Sequence, residues 1–313
     1  MKNILINKLV KGSLGIGIIG IVFLTSCDKG FERMNKNPNA FTEPVPGNLF
    51  TTAIIREAGV GTADRNRVNI KHLSGMIQYM ATLQTFWYGE KYIYNDQGGN
   101  FFETEYPDVL KELQQLFPIV KDDPELVNDY AMIRIWRVFI LHRVTDLYGD
   151  VPYTEAAQGY INGIYKAKYD KQSDIYADML KELDEAAQQF DPSKSTFGSA
   201  DILYHGDVSQ WKTFAYSLML RLAMRLTKVD PQMAETWVKK ALAGGVMQSN
   251  ADMAMISHSP DNGNNWNWDS HELKRESLPD GAKGTGNSKL SKAFVDMLQQ
   301  YDDPRLSFYG TLW

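Results

Sequence analysis

Between Asp129 and Tyr148, apolar side chains at Met132, Ile135, Trp136, Phe139, Ile140, Val144 and Leu147 recur at steps of three and four residues. That spacing lines one side of an α-helix and demands a helical or sheet partner to bury it. Gly149 supplies the stop, and Val151, preceding Pro152, is pushed toward extended backbone. The same period returns along the chain. Tyr106–Val120 carries Val109, Leu110, Leu113, Leu116 and Phe117 on one stripe. Ser173 can cap a helix whose apolar side is Tyr176, Met179, Leu180, Leu183, Ala187 and Phe190, ending at Asp191-Pro192. Asp207 can cap another, with Gln210 at the third position of a capping box and Trp211, Phe214, Leu218, Leu222 and Leu226 facing inward. Pro231 suits a first helical turn, with Gly244-Gly245 as the stop. Further helical patterns cover Leu49–Ala58, Ile70–Leu83 and Leu290–Tyr301. No run of alternating apolar residues rises above this, so the expected class is mostly α. Helices in sequential pairs with short breaks suggest stacked helical hairpins of tetratricopeptide type, with long irregular loops at 86–105, 151–172 and 248–288.

The N-terminus is organised differently. Lys2, Lys8 and Lys11 flank an uncharged apolar stretch, Leu14–Leu24, of 11 residues, followed by Leu24-Thr25-Ser26-Cys27. A bilayer-spanning helix needs about 20 residues, whereas a secretory core needs about 7–15. Leu-Thr-Ser-Cys resembles a bacterial lipobox, and the chain's single cysteine stands where a lipobox requires it. Residues 1–26 therefore read as a lipoprotein signal peptide. Cys27 reads as the lipid attachment site and 27–47, broken by Pro38, Pro44 and Pro46, as a tether to a domain over 48–313. Gly15-Ile16-Gly17-Ile18-Ile19-Gly20 imitates a dinucleotide fingerprint but lies inside this leader with no preceding strand. Gly281, Gly286, Asn287 and Ser288 imitate a phosphate loop with Asn287 where the lysine belongs.

Charge excludes one class of partner. The chain carries 33 Lys and Arg against 38 Asp and Glu, and past residue 26 the balance falls to −8. Such a surface does not offer the broad basic face that nucleic acid needs. One Cys and 5 His make no zinc cluster, and no metal or cofactor is expected. Acid neighbours such as Asp122/Asp123, Asp302/Asp303 and Glu103/Glu105 do not identify a glycosidase pair, and His142 reads as a seam residue of its helix. Nothing in the pattern supports an enzyme.

Two segments have the chemistry of a sugar site. A glycan offers weakly apolar C–H faces and hydroxyl edges, so it is held by exposed aromatic planes beside amides. Phe86-Trp87-Tyr88-Gly89-Glu90-Lys91-Tyr92-Ile93-Tyr94-Asn95-Asp96-Gln97 packs five aromatics among polar groups. Asn262-Gly263-Asn264-Asn265-Trp266-Asn267-Trp268-Asp269 places two indoles two residues apart, on one side of an extended loop, among asparagines. The expected ligand contacts are Trp87, Tyr88, Tyr92, Asn95, Asn265, Trp266 and Trp268, while Phe86, Ile93 and Tyr94 are expected to plug the first loop onto the core.

Four further segments carry a resemblance. They are Thr145-Asp146-Leu147-Tyr148-Gly149-Asp150-Val151-Pro152-Tyr153-Thr154-Glu155-Ala156; Asp201-Ile202-Leu203-Tyr204-His205-Gly206-Asp207 running through Trp211 and Phe214 to Arg221 and Arg225; Gly244-Gly245-Val246-Met247; and Asp302-Asp303-Pro304-Arg305-Leu306. In this order, behind a lipobox, they resemble the SusD/RagB family of nutrient-binding outer-membrane lipoproteins. As residues, the four read as structural: a helix stop and exit, a helix seam with Arg221 and Arg225 against acids, and turns. The resemblance implies an outer-membrane lipoprotein facing the cell exterior that binds oligosaccharide and passes it to a SusC-like TonB-dependent transporter. In that family an aromatic loop after an early helix commonly supplies ligand stacking, the place occupied by 86–97. Members usually continue well beyond the Asp-Pro-Arg-Leu segment, so the resemblance also implies a C-terminally truncated chain. The competing readings are an all-α glycan-cleaving lipoprotein and a helical-repeat scaffold for proteins.

Overall fold

A computed structural model describes residues 44–59, 67–83, 89–93, 100–258, 267, 270–271, 273–274 and 288–310. Its labelled elements are α1 (Pro46–Glu57), β1 (Met80–Thr82), α2 (Val127–Tyr148), α3 (Gln172–Gln189), α4 (Val208–Arg225), α5 (Pro231–Gly244), β2 (Ser288–Leu290) and α6 (Lys292–Gln300). The class is mostly α.

Helix α2 is the spine. Met132, Ile135, Ile140 and Val144 are buried as the periodicity requires, and so are Ile133, Val138 and Leu141 on the other sides. A helix buried all round needs neighbours all round, and α1, α3 and α4 supply them. The α2/α3 seam runs antiparallel. Asn128 reaches the carbonyls of Asp191, Lys194 and Ser195; Arg134 reaches Glu182, Glu185 and Gln189; the Tyr176 hydroxyl meets Asp146 near the far end. Helix α4 packs on α3, and α5 folds back on α4, where Ser217 Oγ accepts from Met247 N at 2.9 Å. The result is a stack of helical hairpins of tetratricopeptide type.

The centre of the stack is aromatic. Trp211 is fully buried, edge-on to Trp136 at 6.4 Å, to Tyr204 at 5.7 Å and to Phe214 at 5.8 Å, with Phe50 of α1 against it. Burying rings this large contributes about 1.5–3 kcal/mol each. Its indole N–H donates to Asp201 Oδ2 at 2.7 Å. Asp201 is itself fully buried and also accepts from Leu203, Tyr204 and Gly206 backbone N–H groups.

Several helix ends follow their sequence signals. Asp207 accepts from Ser209 and Gln210 N–H, and Gln210 Nε2 returns to the Asp207 carboxylate at 2.9 Å. Asp230 caps α5 with Pro231 in the first turn. Gly149 stops α2 at φ 77°, ψ −122°, a conformation that strongly favours glycine. Val151 is extended and bridges to Asp170.

Other boundaries differ from expectation. Helix α1 begins at Pro46, inside the stretch read as tether. Ser173 does not cap α3; the helix begins at Gln172, whose N–H donates to Asp150 at the far end of the α2–α3 connection. The pattern over Ile70–Leu83 is not one helix. A π-helical stretch, Arg67–Leu73, and a short turn at Ser74–Met76 end at Gln78 in positive φ, and β1 follows. Tyr106–Val120 is likewise broken into π-helical Glu105–Leu110 and the short helices Lys111–Gln114 and Phe117–Val120, although Val109, Leu110, Leu113 and Leu116 do face the core.

Candidate functional site

The resemblance motifs prove to be scaffold. In the first, Tyr153 is buried with its hydroxyl donating to Asp178 at 2.7 Å, and Arg137 lies over its ring at 4.5 Å. In the second, Arg225 pairs with Asp146 across the α2/α4 seam at 3.1 Å, while Arg221 is exposed. In the fourth, Asp303 closes a turn by accepting from Arg305 N and Nε at 2.9 and 2.8 Å. His142 is a seam residue, as expected: it is buried, Nδ1 lies 2.5 Å from the Phe139 carbonyl, and burial depresses its pKa to about 4.

Strands β1 and β2 form an antiparallel ribbon with Met80 opposite Leu290, Ala81 opposite Lys289 and Thr82 opposite Ser288. Leu83 is the last described residue before the segment holding Trp87 and Tyr88. Ser288 is the first described residue after the stretch that follows Trp266 and Trp268. The chain leaving β1 toward the first aromatic segment and the chain entering β2 thus lie at one end of one ribbon. Ser291 fastens the join by donating N–H to the Tyr79 carbonyl at 3.0 Å and its hydroxyl to the Gln78 carbonyl, and Tyr79 packs on Phe294 at 4.9 Å.

Within the first segment, residues 89–93 are seated on the turn at His72–Met76. A Cβ on Gly89 would lie 2.2 Å from the His72 carbonyl oxygen, and one on Gly75 would lie 2.6 Å from Glu90 N. Only paired glycines allow backbones this close. Glu90 accepts from Thr82 N at 2.7 Å, tying the segment back to β1. Tyr92 sits in positive φ, its hydroxyl donating to the Met76 carbonyl at 2.9 Å while 61% of the residue stays exposed. The ring is held at its tip and open to solvent, the posture of a stacking surface. Ile93 was expected to plug the loop and does not: it is 51% exposed, because the reversal at Tyr92 turns the chain outward.

Of the other expected contacts, Trp87, Tyr88, Asn95, Asn265, Trp266 and Trp268 lie outside the described residues, as do Phe86, Tyr94 and Cys27. Asn267, between the two indoles, is described. Its Nδ2 donates to the Ala58 carbonyl at 3.0 Å and lies 3.3 Å from His258 Nε2, and its Oδ1 accepts from Ser270 N at 2.8 Å. The second segment is therefore pinned to the end of α1. A small cleft behind the ribbon, lined by Ile70, Ser74, Met80, Thr82 and Glu90, has a volume of about 10 Å³. That is room for one water and not for a pyranose ring.

Sequence reasoning missed the seat of this site: Gly75, Gly89, Glu90, Asn267 and the Thr82–Ser288 register. Gly89 inside an aromatic run was the one local signal available.

Comparison with known proteins agrees with the architecture. No curated protein matches. Among solved structures, one titled a chitin-binding protein aligns at TM-score 0.73 and 30% identity, over 84% of this chain and 54% of its own. A Bacteroidetes AC2a SusD-like structure gives TM-score 0.73 and 30% identity over 84% and 50%. A chitin-binding SusD homolog from Flavobacterium johnsoniae gives 0.68 and 26% over 84% and 53%. The chain spans about half the length of these structures. The family model SusD-like_2, described as starch-binding associating with outer membrane, matches residues 38–312. The chain belongs to the SusD-like family.

Proposed function

We propose that this protein is a carbohydrate-binding lipoprotein of the outer membrane that captures an oligosaccharide and delivers it without making or breaking a bond. The observation that carries this reading is the Tyr92 ring, 61% exposed and held through its hydroxyl on the Met76 carbonyl, in a chain of a family described as starch-binding. In this account Trp87, Tyr88 and Tyr92 from one segment and Trp266 and Trp268 from the other stack on sugar C–H faces, and Asn95 and Asn265 hydrogen-bond hydroxyl edges. Each net hydrogen bond contributes only about 0.5–1.5 kcal/mol, so the aromatic planes supply much of the affinity.

Signal cleavage before Cys27 and acylation of its thiol would anchor the chain, with 28–45 as the tether and the remainder as the binding domain. Among the described residues no helix is long and apolar enough to cross a membrane, which is compatible with lipid as the anchor. Membership in an outer-membrane-associated family supports that membrane as its address. A SusC-like TonB-dependent transporter is the proposed recipient, and exposure at the cell exterior follows from that partnership. Docking there would raise local ligand concentration, so moderate affinity suffices.

The test is affinity electrophoresis of the whole chain in gels containing soluble starch or glycol chitin. Retardation is expected, and it should be abolished in a Trp266→Ala/Trp268→Ala variant. Equal retardation of variant and unaltered chain would remove these indoles from the site, and sustained release of shorter sugars would make the protein a hydrolase instead.

A further inference from the structure

The connection between α2 and α3 presents an aromatic surface that the site above does not use. Three tyrosines within ten residues point into solvent: Tyr160 is 81% exposed, Tyr165 84% and Tyr169 63%. A single exposed aromatic residue needs no explanation, but a cluster does.

The exposure is not slack. Asp170 accepts from Tyr153 N, Thr154 N and Thr154 Oγ1 at 3.3, 2.7 and 2.8 Å, and bridges backbone to Val151. Lys168 N donates to Glu155 at 2.9 Å. Gln158 Nε2 donates to the Thr154 carbonyl at 2.8 Å, and Asn162 Nδ2 to Gln158 Oε1 at 2.9 Å. The backbone bearing the rings is thus tied at both ends and in the middle. Gly159 lets the Tyr165 ring lie against the chain, since a Cβ there would stand 3.2 Å from ring carbons. The backbone that carries the rings is set before any ligand arrives, which reduces the ordering cost of binding.

We propose that Tyr160 and Tyr165, with Tyr169 behind them, form a second carbohydrate-contacting platform, specific for polymeric rather than short glycans. This rests on the reading of the first site. The ring faces would take sugar C–H faces, while phenolic hydroxyls, the Asn162 amide and Lys166 meet hydroxyl edges. Two observations favour a sugar over a protein partner. The exposed residues around the rings are polar (Thr154, Asn162, Lys166 and Lys168), so the apolar centre of a protein interface is missing. The platform also lies beside the seat of the first segment: Tyr169 stacks on Phe102 at 6.4 Å and 14°, and Asn100–Thr104, which carries Phe102, packs on the Arg67–Leu73 stretch that Gly89–Lys91 also contacts.

The experiment compares the whole chain with Tyr160→Ala/Tyr165→Ala, using sedimentation with colloidal chitin and insoluble starch and, in parallel, titration with the corresponding hexasaccharides. Both rings are exposed, so the variant keeps its fold, checked by an unchanged melting temperature. The expected result is polymer retention weakened on the order of tenfold with hexasaccharide affinity within about twofold of the unaltered chain. Unchanged polymer retention overturns the platform and leaves the first site standing. Unchanged retention with loss of transporter co-purification reassigns the surface to a protein. Failure of the unaltered chain to bind either polymer or hexasaccharide overturns both readings.

Discussion

Thr82 and Ser288 face each other as antiparallel partners at the end of the β1–β2 ribbon, and Thr82 N donates to Glu90 of the aromatic segment. The seat of that segment is correspondingly local. A Gly89→Ala substitution drives a methyl into the His72 carbonyl, 2.2 Å away, at about 1–3 kcal/mol of local strain. Glycan retention should fall several-fold while the melting temperature moves by only a few degrees; isothermal titration beside calorimetric unfolding reads both.

Arg134 is the chief polar tie between α2 and α3. Its fork grips Glu182 at 2.8 and 2.9 Å and Glu185 at 2.7 Å. Burial pushes the Glu182 carboxyl upward, and Arg134 more than offsets that, leaving it below the ordinary carboxylate range. Arg134→Ala leaves that carboxylate half-covered and unpaired, and should lower unfolding free energy by about 2–3 kcal/mol. Arg134→Lys, which cannot make the fork, should lose roughly half as much. Urea unfolding at neutral pH checks the pair.

Asp129, in the first turn of α2, is buried, and that burial raises its pKa to about 7, with the Phe197 backbone N–H partly opposing the rise. A folded pKa above the unfolded value of 3.8 means the folded state holds the extra proton between these limits. Its contribution is therefore greatest below pH 3.8 and is lost as pH rises through 7. Asp129→Asn should be near neutral at pH 3 and stabilising by about 3–4 kcal/mol at pH 9. Equal effects at both pH values would refute the assignment.

Asp201→Ala would leave the Trp211 indole N–H and the Leu203 and Gly206 amides without their buried acceptor. A loss of about 3 kcal/mol or more is expected, since each stranded buried donor costs about 1–3 kcal/mol. Near-ultraviolet circular dichroism should show the Trp211 environment loosening before the helices melt.

What could be seen in advance divides along the range of the interactions. Helix α2, the Asp207 and Pro231 starts and the Gly149 stop were legible because a helix's period and its caps lie within a few residues of one another. The start of α3 was misread because its cap, Asp150, lies 22 residues away and outcompetes the local candidate Ser173. The ribbon was invisible for the same reason. Three-residue strands show no alternation worth reading, and each forms only because the other is there. Gly75 carried no sign of the backbone approach it permits, and Gly89 only its place inside an aromatic run, since that approach is set by the pairing of two turns. The aromatic and amide content of the proposed site could be read from composition; the seat of residues 89–93 on the His72–Met76 turn could not.

The central claim is that the segments around Trp87 and Trp266 serve one carbohydrate. It is tested most directly by labelling the chain with 5-fluorotryptophan, assigning the resonances through single Trp→Phe variants, and titrating with maltohexaose and chitohexaose. The account predicts that the Trp87 and Trp266 signals shift together with one saturation midpoint for at least one of the sugars, while buried Trp211 stays still. Stationary Trp87 and Trp266 signals with both sugars, or shifts with separate midpoints, would contradict it.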